Sequence, residues 1–211
     1  TATPEQAQAV HAVLRSQLDH FSRLVLEILD LSRLESGTAD LQLELVELRS
    51  AVLALAADSE LPEQRIVQAD DLPERVRVDP RRLRVVIRNL VENAQRYAGG
   101  CTRLTVASSA SGGRFSLAVD DAGPGVAADE RERIFERFHR GSVGSSPGAA
   151  KGTGLGLSLV AESVRAMGGT VRVTDSPDGG ARFVVELPAN MEDDVVEATR
   201  ALAPADGSAV T

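Results

Sequence analysis

The sequence predicts an α+β fold in which helices cover a mixed sheet, preceded by one long amphipathic helix. Three observations carry this. Apolar residues recur four and three apart through the first 35 residues, short alternating apolar segments follow after Leu41, and two further helical stretches are set among those segments. With no Trp, one Tyr and five Phe, the core must rest on Leu, Val, Ile and Ala.

In the first helix, Pro4 to Glu35, the residues Val10, Leu14, Gln17, Phe21, Leu24, Ile28 and Leu31 form a heptad seam with one polar member. Leu18, Val25 and Leu34 widen the stripe beyond a two-stranded seam, as in a helical bundle, and Ser36-Gly37 ends it. Such a helix either packs on its own domain or oligomerises; the breadth of the stripe favours the second. Leu41 to Leu48 then alternates like a strand, and Arg49 to Asp58 is Ala/Leu-rich and helical. Short strands are expected at Arg65–Gln68 and Arg75–Val78. A helix opens at Asp79-Pro80, a side-chain acceptor followed by proline in the first turn, and runs to about Tyr97. Thr102–Ser109 and Arg114–Asp120, separated by Ser-Gly-Gly, read as a hairpin. A helix from about Leu155 to Met167 is followed by strands at Thr170–Thr174 and Ala181–Leu187. These divide the chain into a helix (1–37), a layered α+β domain (38–188) and an acidic, Ala-rich tail (189–211), the last expected to be frayed or disordered.

The 211 residues can bury a substantial core, and 43% hydrophobic with 26% charged content is that of a soluble globular chain. The net charge of −8 argues against nucleic acid or an anionic membrane as the main partner. A single cysteine, Cys101, excludes an internal disulfide and a thiolate cluster and suits a reducing, cytoplasmic setting. No run of 18 apolar residues and no signal peptide is visible.

Three segments carry chemistry. On the helix from Asp79, Leu83, Ile87, Leu90 and Ala94 form the core face, while Asn89, Asn93 and Arg96 stack on another side with Glu92 at its edge. Carboxamide oxygens suit Mg²⁺, which takes few protein ligands and keeps water and phosphate, and the guanidinium suits a phosphate. An ordinary solvated helix face would look the same. Asp120-Asp121-Ala122-Gly123-Pro124-Gly125 follows a strand; Asp121, next to the glycines, is the residue expected to accept a hydrogen bond from an exocyclic amine such as that of adenine, although a surface turn has this composition too. The run Lys151-Gly152-Thr153-Gly154-Leu155-Gly156 leads into a helix, so free amides and the helix dipole would converge on a phosphate there, unless it is a plain glycine turn. Between these lies Ile134 to Gly141, whose Phe135 and Phe138 are expected to anchor a short helix at one end of a mobile lid. Arg137, Arg140 and Lys151 would reach a triphosphate as that lid closes, or belong to an anchored loop.

Asn89–Tyr97 (NLVENAQRY), Asp121–Gly125 (DAGPG), Ile134–Gly141 (IFERFHRG) and Gly152–Ser158 (GTGLGLS) resemble the N, G1, F and G2 boxes of sensor histidine kinases, in that family's order. Val78–Leu83, Gly168–Pro188 and Asp30–Gly37 extend the likeness over some 150 to 180 residues, the last resembling the end of a second dimerisation helix. The resemblance implies a Bergerat-type ATP-binding fold, shared with gyrase and chaperone ATPases. It assigns Asn93 and Asn89 to Mg²⁺ and its phosphates, Arg96 to phosphate and Tyr97 to packing near the base. Asp121, Gly123 and Gly125 would hold adenine, and Gly152 to Gly156 the phosphates. It further implies a homodimer through the first helix, a response regulator receiver domain as partner, and a plasma-membrane parent with this part facing the cytoplasm.

One departure matters. Such kinases phosphorylate a histidine followed by an acidic residue, yet His11 precedes Ala12-Val13, His20 precedes Phe21 and His139 sits in the F-box-like segment. The acceptor is therefore expected outside this chain, either on a missing first helix or on a separate protein. A gyrase-like ATPase would carry a glutamate one turn before Asn93, where Asn89 stands, and Glu92 is expected to point elsewhere. A nucleotide-gated dimerisation module without kinase activity is a third reading. Lys151, where glycine is usual in the family, either adds a phosphate contact or faces water.

Overall fold

A computed structural model of the chain describes residues 4–35, 40–109, 113–139 and 153–189. The tail expected at 189–211 lies outside these from residue 190 onward, as do Arg140, Lys151 and Gly152. Helix α1 spans Pro4–Glu35 and is followed by β1 (Glu44–Glu47), α2 (Leu48–Asp58), β2 (Ile66–Gln68), β3 (Arg75–Val78) and α3 (Pro80–Ala98). Then come β4 (Cys101–Ser108), β5 (Arg114–Asp121), α4 (Gly156–Ala166), β6 (Thr170–Asp175) and β7 (Ala181–Pro188). The expected elements are present with shifted ends. The first strand is shorter than Leu41 to Leu48, because the Gln42 N–H donates to Asp79 Oδ2 at 3.0 Å and Leu48 already begins α2.

The main sheet has the order β2-β4-β5-β7-β6, with β2 parallel to β4 and the other pairs antiparallel; β1 and β3 form a separate antiparallel pair. Register aligns the apolar residues. Leu104 faces Val119, Val106 faces Leu117, Phe115 faces Leu187, Leu117 faces Val185, and Phe183 faces both Val119 and Val173. Side chains alternate across a strand, so these residues share one face of the sheet, and all are buried. They pack with Leu83, Val86, Ile87 and Leu90 of α3 and Val160, Val164 and Met167 from α4 and its end, making the core Leu, Val and Ile-rich as expected.

Part of the apolar stripe of α1 finds its partner inside the chain. Leu31 is buried with Leu155 and Leu159, with Leu24, Leu34 and Val85 packed around them, and Arg82 Nη1 donates to Asp30 Oδ2 at 2.7 Å. Leu14, Leu18, Phe21, Val25 and Ile28 stay exposed. The first helix therefore both packs on its own domain and leaves apolar surface uncovered, because only its C-terminal half runs over α4.

Candidate functional site

Helix α3 starts where Asp79 caps it: Oδ1 accepts from the backbone N–H of Arg81 (2.9 Å) and Arg82 (3.2 Å), and it ends on Gly99 at φ 72°. With Oδ2 taking the Gln42 N–H, the fully buried Asp79 has a structural task. Away from its core face, α3 presents Asn89, Glu92, Asn93, Arg96 and Tyr97 to one cleft. These positions are spaced three and four apart, one helical flank. Asn89 is 7% exposed, and its Nδ2 donates to Val85 O at 2.8 Å. That bond leaves Oδ1 unspent on its own helix and turned toward Gly156 of α4, where a Cβ would stand 2.8 Å away.

The opposite wall begins at the end of β5. Neighbouring strand residues face opposite sides, and the two aspartates divide accordingly. Asp120, fully buried, pairs with its cross-strand neighbour Arg182, Nε to Oδ1 at 2.9 Å and Nη2 to Oδ2 at 3.0 Å. Asp121 lines the cleft, and its Oδ1 accepts the N–H of Gly123 (2.9 Å) and of Ala181 (3.0 Å). Both backbone donors fall on one oxygen, so the carboxylate is fixed while its second oxygen is left for a ligand. Gly123 thus serves the aspartate, whereas Pro124 and Gly125 line the cleft directly.

At the third wall, Gly154 has φ +72°, and a Cβ there would lie 2.8 Å from Phe138 Cα. The Phe138 N–H donates to Gly154 O at 3.0 Å, so the two ends of the 140–152 segment are held together by backbone. Only one of the two expected aromatic anchors is seated: Phe135 packs edge-on against Phe183 with centroids 6.4 Å apart, while Phe138 is 65% exposed at φ 56°. The expected short helix is a single turn, Arg133–Phe135. Thr153 Oγ1 accepts the Leu155 N–H at 3.1 Å and reaches Glu27 Oε2 at 3.4 Å.

Of the residues expected to form the site, Asn89, Asn93, Arg96, Tyr97, Asp121, Gly125, Gly154 and Gly156 gather around this cleft. Leu155 instead packs in the apolar cluster with Leu31, Thr153 turns to Glu27 and its own helix, and Arg137 is exposed outside the lining. Other lining residues come from distant segments, among them Val126, Ile134, Leu157 and Phe183 as an apolar wall, with Glu130 and His139. His139 Nε2 is buried with no hydrogen-bond partner among the described residues. Glu92 also lines the cleft, against the expectation that it points elsewhere; its spacing from Asn89 and Asn93 carried that signal, whereas nothing local marked His139. Burial pushes the Cys101 thiol up to about 11, so it is protonated at neutral pH and no nucleophile. Among the described residues no three His, Cys, Asp or Glu side chains gather as a metal site, and no helix is long and apolar enough to cross a membrane.

An apolar slot with one fixed carboxylate, facing a helix flank with two carboxamides and an arginine, suits a ligand that is flat at one end and anionic at the other. Residues 78–191 match the family of histidine kinase-, DNA gyrase B-, and HSP90-like ATPases. The chain is 33% identical over 189 residues to the signal transduction histidine-protein kinase AfsQ2 of Streptomyces coelicolor, covering 88% of this chain and 34% of that protein. It is similar in structure to full-length ShkA in complex with AMPPNP (TM-score 0.71, 34% identity, 89% of this chain and 40% of that one). It is also similar to the ATP binding domain of PrrB from Mycobacterium tuberculosis (TM-score 0.53, 29% identity, 70% of this chain and 97% of that one). The chain thus spans about a third of the length of AfsQ2. Fold, cleft and matched segment together make it a member of the histidine kinase-, DNA gyrase B- and HSP90-like ATPase family.

Proposed function

We propose that this chain is the catalytic portion of a sensor histidine kinase, which binds ATP with Mg²⁺ and passes the γ-phosphoryl to a histidine outside these residues, for relay to a response regulator receiver domain. The observation that carries this is Asp121: a carboxylate with one oxygen fixed by Gly123 and Ala181, beside an apolar wall and across from Asn89, Asn93 and Arg96. Its second oxygen accepts the exocyclic amine of adenine, and Val126, Ile134 and Phe183 pack on the ring. The donor set suits Mg²⁺, since Asn89 Oδ1 is left unspent by the Val85 bond and Asn93 stands one turn further along. When bound, Mg²⁺ supplies charge neutralisation on the phosphate oxygens. Arg96 adds a fixed positive charge, and the backbone at Gly154 and Gly156 lets the phosphates approach closely. Phosphoryl transfer needs chiefly positioning and neutralised charge, which these groups provide.

In this reading α1 is the second helix of a dimerisation domain, and the exposed Leu14, Leu18 and Phe21 contribute to a homodimer. The AfsQ2 name and the AMPPNP bound by ShkA support the same reading. The decisive experiment mixes the chain with ATP, Mg²⁺ and a dimerisation fragment bearing a histidine followed by an acidic residue. Phosphohistidine is expected; free phosphate alone would favour an ATPase, and neither product a nucleotide-gated module. The ATPase reading has one observation of its own: Glu92 is among the residues that line the cleft. Phosphate release that vanishes in Glu92→Gln would support it.

A further inference from the structure

The turn joining β6 to β7 is clamped from two strands away. In β4 the register against β5 shifts between Cys101 and Arg103, so Thr102 occupies an irregularity opposite Asp121 and Asp120. On a regular strand, side chains at 102 and 103 would leave by opposite faces; bulges re-aim them. Here both reach one residue. Thr102 Oγ1 donates to Asp178 Oδ2 at 2.7 Å, and Arg103 Nη2 donates to Asp178 Oδ1 at 3.1 Å. Since β5 lies between β4 and β7, this clamp crosses the end of β5, where Asp121 stands. The turn is also closed on itself: Ser176 N–H to Gly180 O (2.8 Å), Gly179 N–H to Ser176 O (3.1 Å) and Asp178 N–H to Ser176 Oγ (3.1 Å). Its exit touches the cleft. The Ala181 N–H is one of the two donors on Asp121 Oδ1, and Gly180 lies so close to that oxygen that a Cβ would overlap it.

We infer that Asp178 is a positioning residue that sets the selectivity of the cleft for adenine over guanine, acting through the turn on Asp121; this rests on the nucleotide-binding reading above. Clamped by Thr102 and Arg103, the turn holds the Ala181 N–H on Asp121 and fixes the direction of its free oxygen. A fixed carboxylate oxygen accepts the amine of adenine and repels the carbonyl that guanine presents at the same ring position. A carboxylate that has lost one of its two backbone donors can rotate, which weakens the first contact and relieves the second.

The test titrates ADP and GDP, each with Mg²⁺, into the full chain by calorimetry. Asp178→Ala should weaken ADP about tenfold, the effect of losing one hydrogen bond to a charged group, and change GDP by less than about twofold. Asp178→Asn, whose one carbonyl oxygen still accepts from Thr102 while its NH₂ replaces the acceptor for Arg103, should recover part of the ADP affinity and of the selectivity. If Asp178→Ala does not fold, Thr102→Val provides the same comparison. Unchanged ADP affinity, or equal weakening of both nucleotides, overturns the proposal for a folded variant. If the unaltered chain binds neither nucleotide, the nucleotide-binding reading itself fails and this inference with it.

Discussion

Asn89 and Gly156 fit so closely that a side chain at 156 would have to push the amide aside: a Cβ there would stand 2.8 Å from Asn89 Oδ1. The contact joins α3 to α4 across the cleft, and it sets the direction of the carboxamide oxygen whose own N–H is spent on Val85. Glycine at 156 therefore makes room for an amide on another helix.

Gly156→Ala should displace Asn89 and weaken Mg²⁺-dependent ATP binding about tenfold, roughly one lost oxygen contact. Helix propensity favours the alanine by up to about 1 kcal/mol, so the melting temperature should move by only a few degrees. Titrations with and without Mg²⁺ check this. The same substitution made on Asn89→Ala should have almost no effect, and equal losses in both backgrounds would show that Asn89 is not the cause.

Asp121→Asn keeps a carbonyl oxygen for the N–H groups of Gly123 and Ala181, so the fold should hold. The new NH₂ then meets the adenine amine donor to donor. Affinity for ADP should drop by roughly ten- to a hundredfold, about 1–3 kcal/mol for an unpaired buried group, with little change in melting temperature. A variant that melts much earlier but binds normally would make Asp121 a structural residue only.

Leu31 is 3% exposed against Leu155 and Leu159. Truncating a fully buried leucine costs about 2–5 kcal/mol, and in Leu31→Ala that cost should fall on the docking of α1. Hydrogen exchange should speed up in the C-terminal half of α1 while the amides of β5 and β7 keep their protection. Faster exchange throughout the sheet would instead make α1 an integral part of the domain that holds the sheet.

Cys101 gives a pH dependence with a defined sign. Burial raises its thiol from 9.0 to about 11, so from about pH 9 upward the unfolded chain releases a proton that the folded chain retains. The contribution of Cys101 to stability is thus constant below pH 9 and declines toward pH 11, by an amount on the order of 2–3 kcal/mol at about 1.4 kcal/mol per unit. Urea unfolding of the parent and of Cys101→Ala, compared from pH 8 to 10.5, isolates the thiol from other titrating groups. Parallel curves for the two proteins would refute the shift.

Much of the fold can be read along the chain. Asp79-Pro80 and Gly99 bracket α3 because a cap, a proline and a left-handed glycine act within one turn of themselves. Asn89, Asn93 and Arg96 share a flank by spacing alone, with Glu92 at its edge, and all four line the cleft. Asp121 is separable from Asp120 once β5 is known to alternate. Arg140 and Lys151 are a different case, lying outside the described residues.

Periodicity, caps and turn residues are enough to specify the elements, the core face of each and the helix flank that bears the amides, since they express contacts a few residues apart. What they do not specify is which oxygen of Asp121 is fixed, that Leu155 joins Leu31 rather than the cleft, or that His139 and Phe183 share a cleft with Asn89. Those outcomes depend on partners such as Ala181, 60 residues from Asp121, and Glu27, 126 residues from Thr153. No local spacing encodes a contact at that separation; it follows from how the strands register and how α1 and α4 pack.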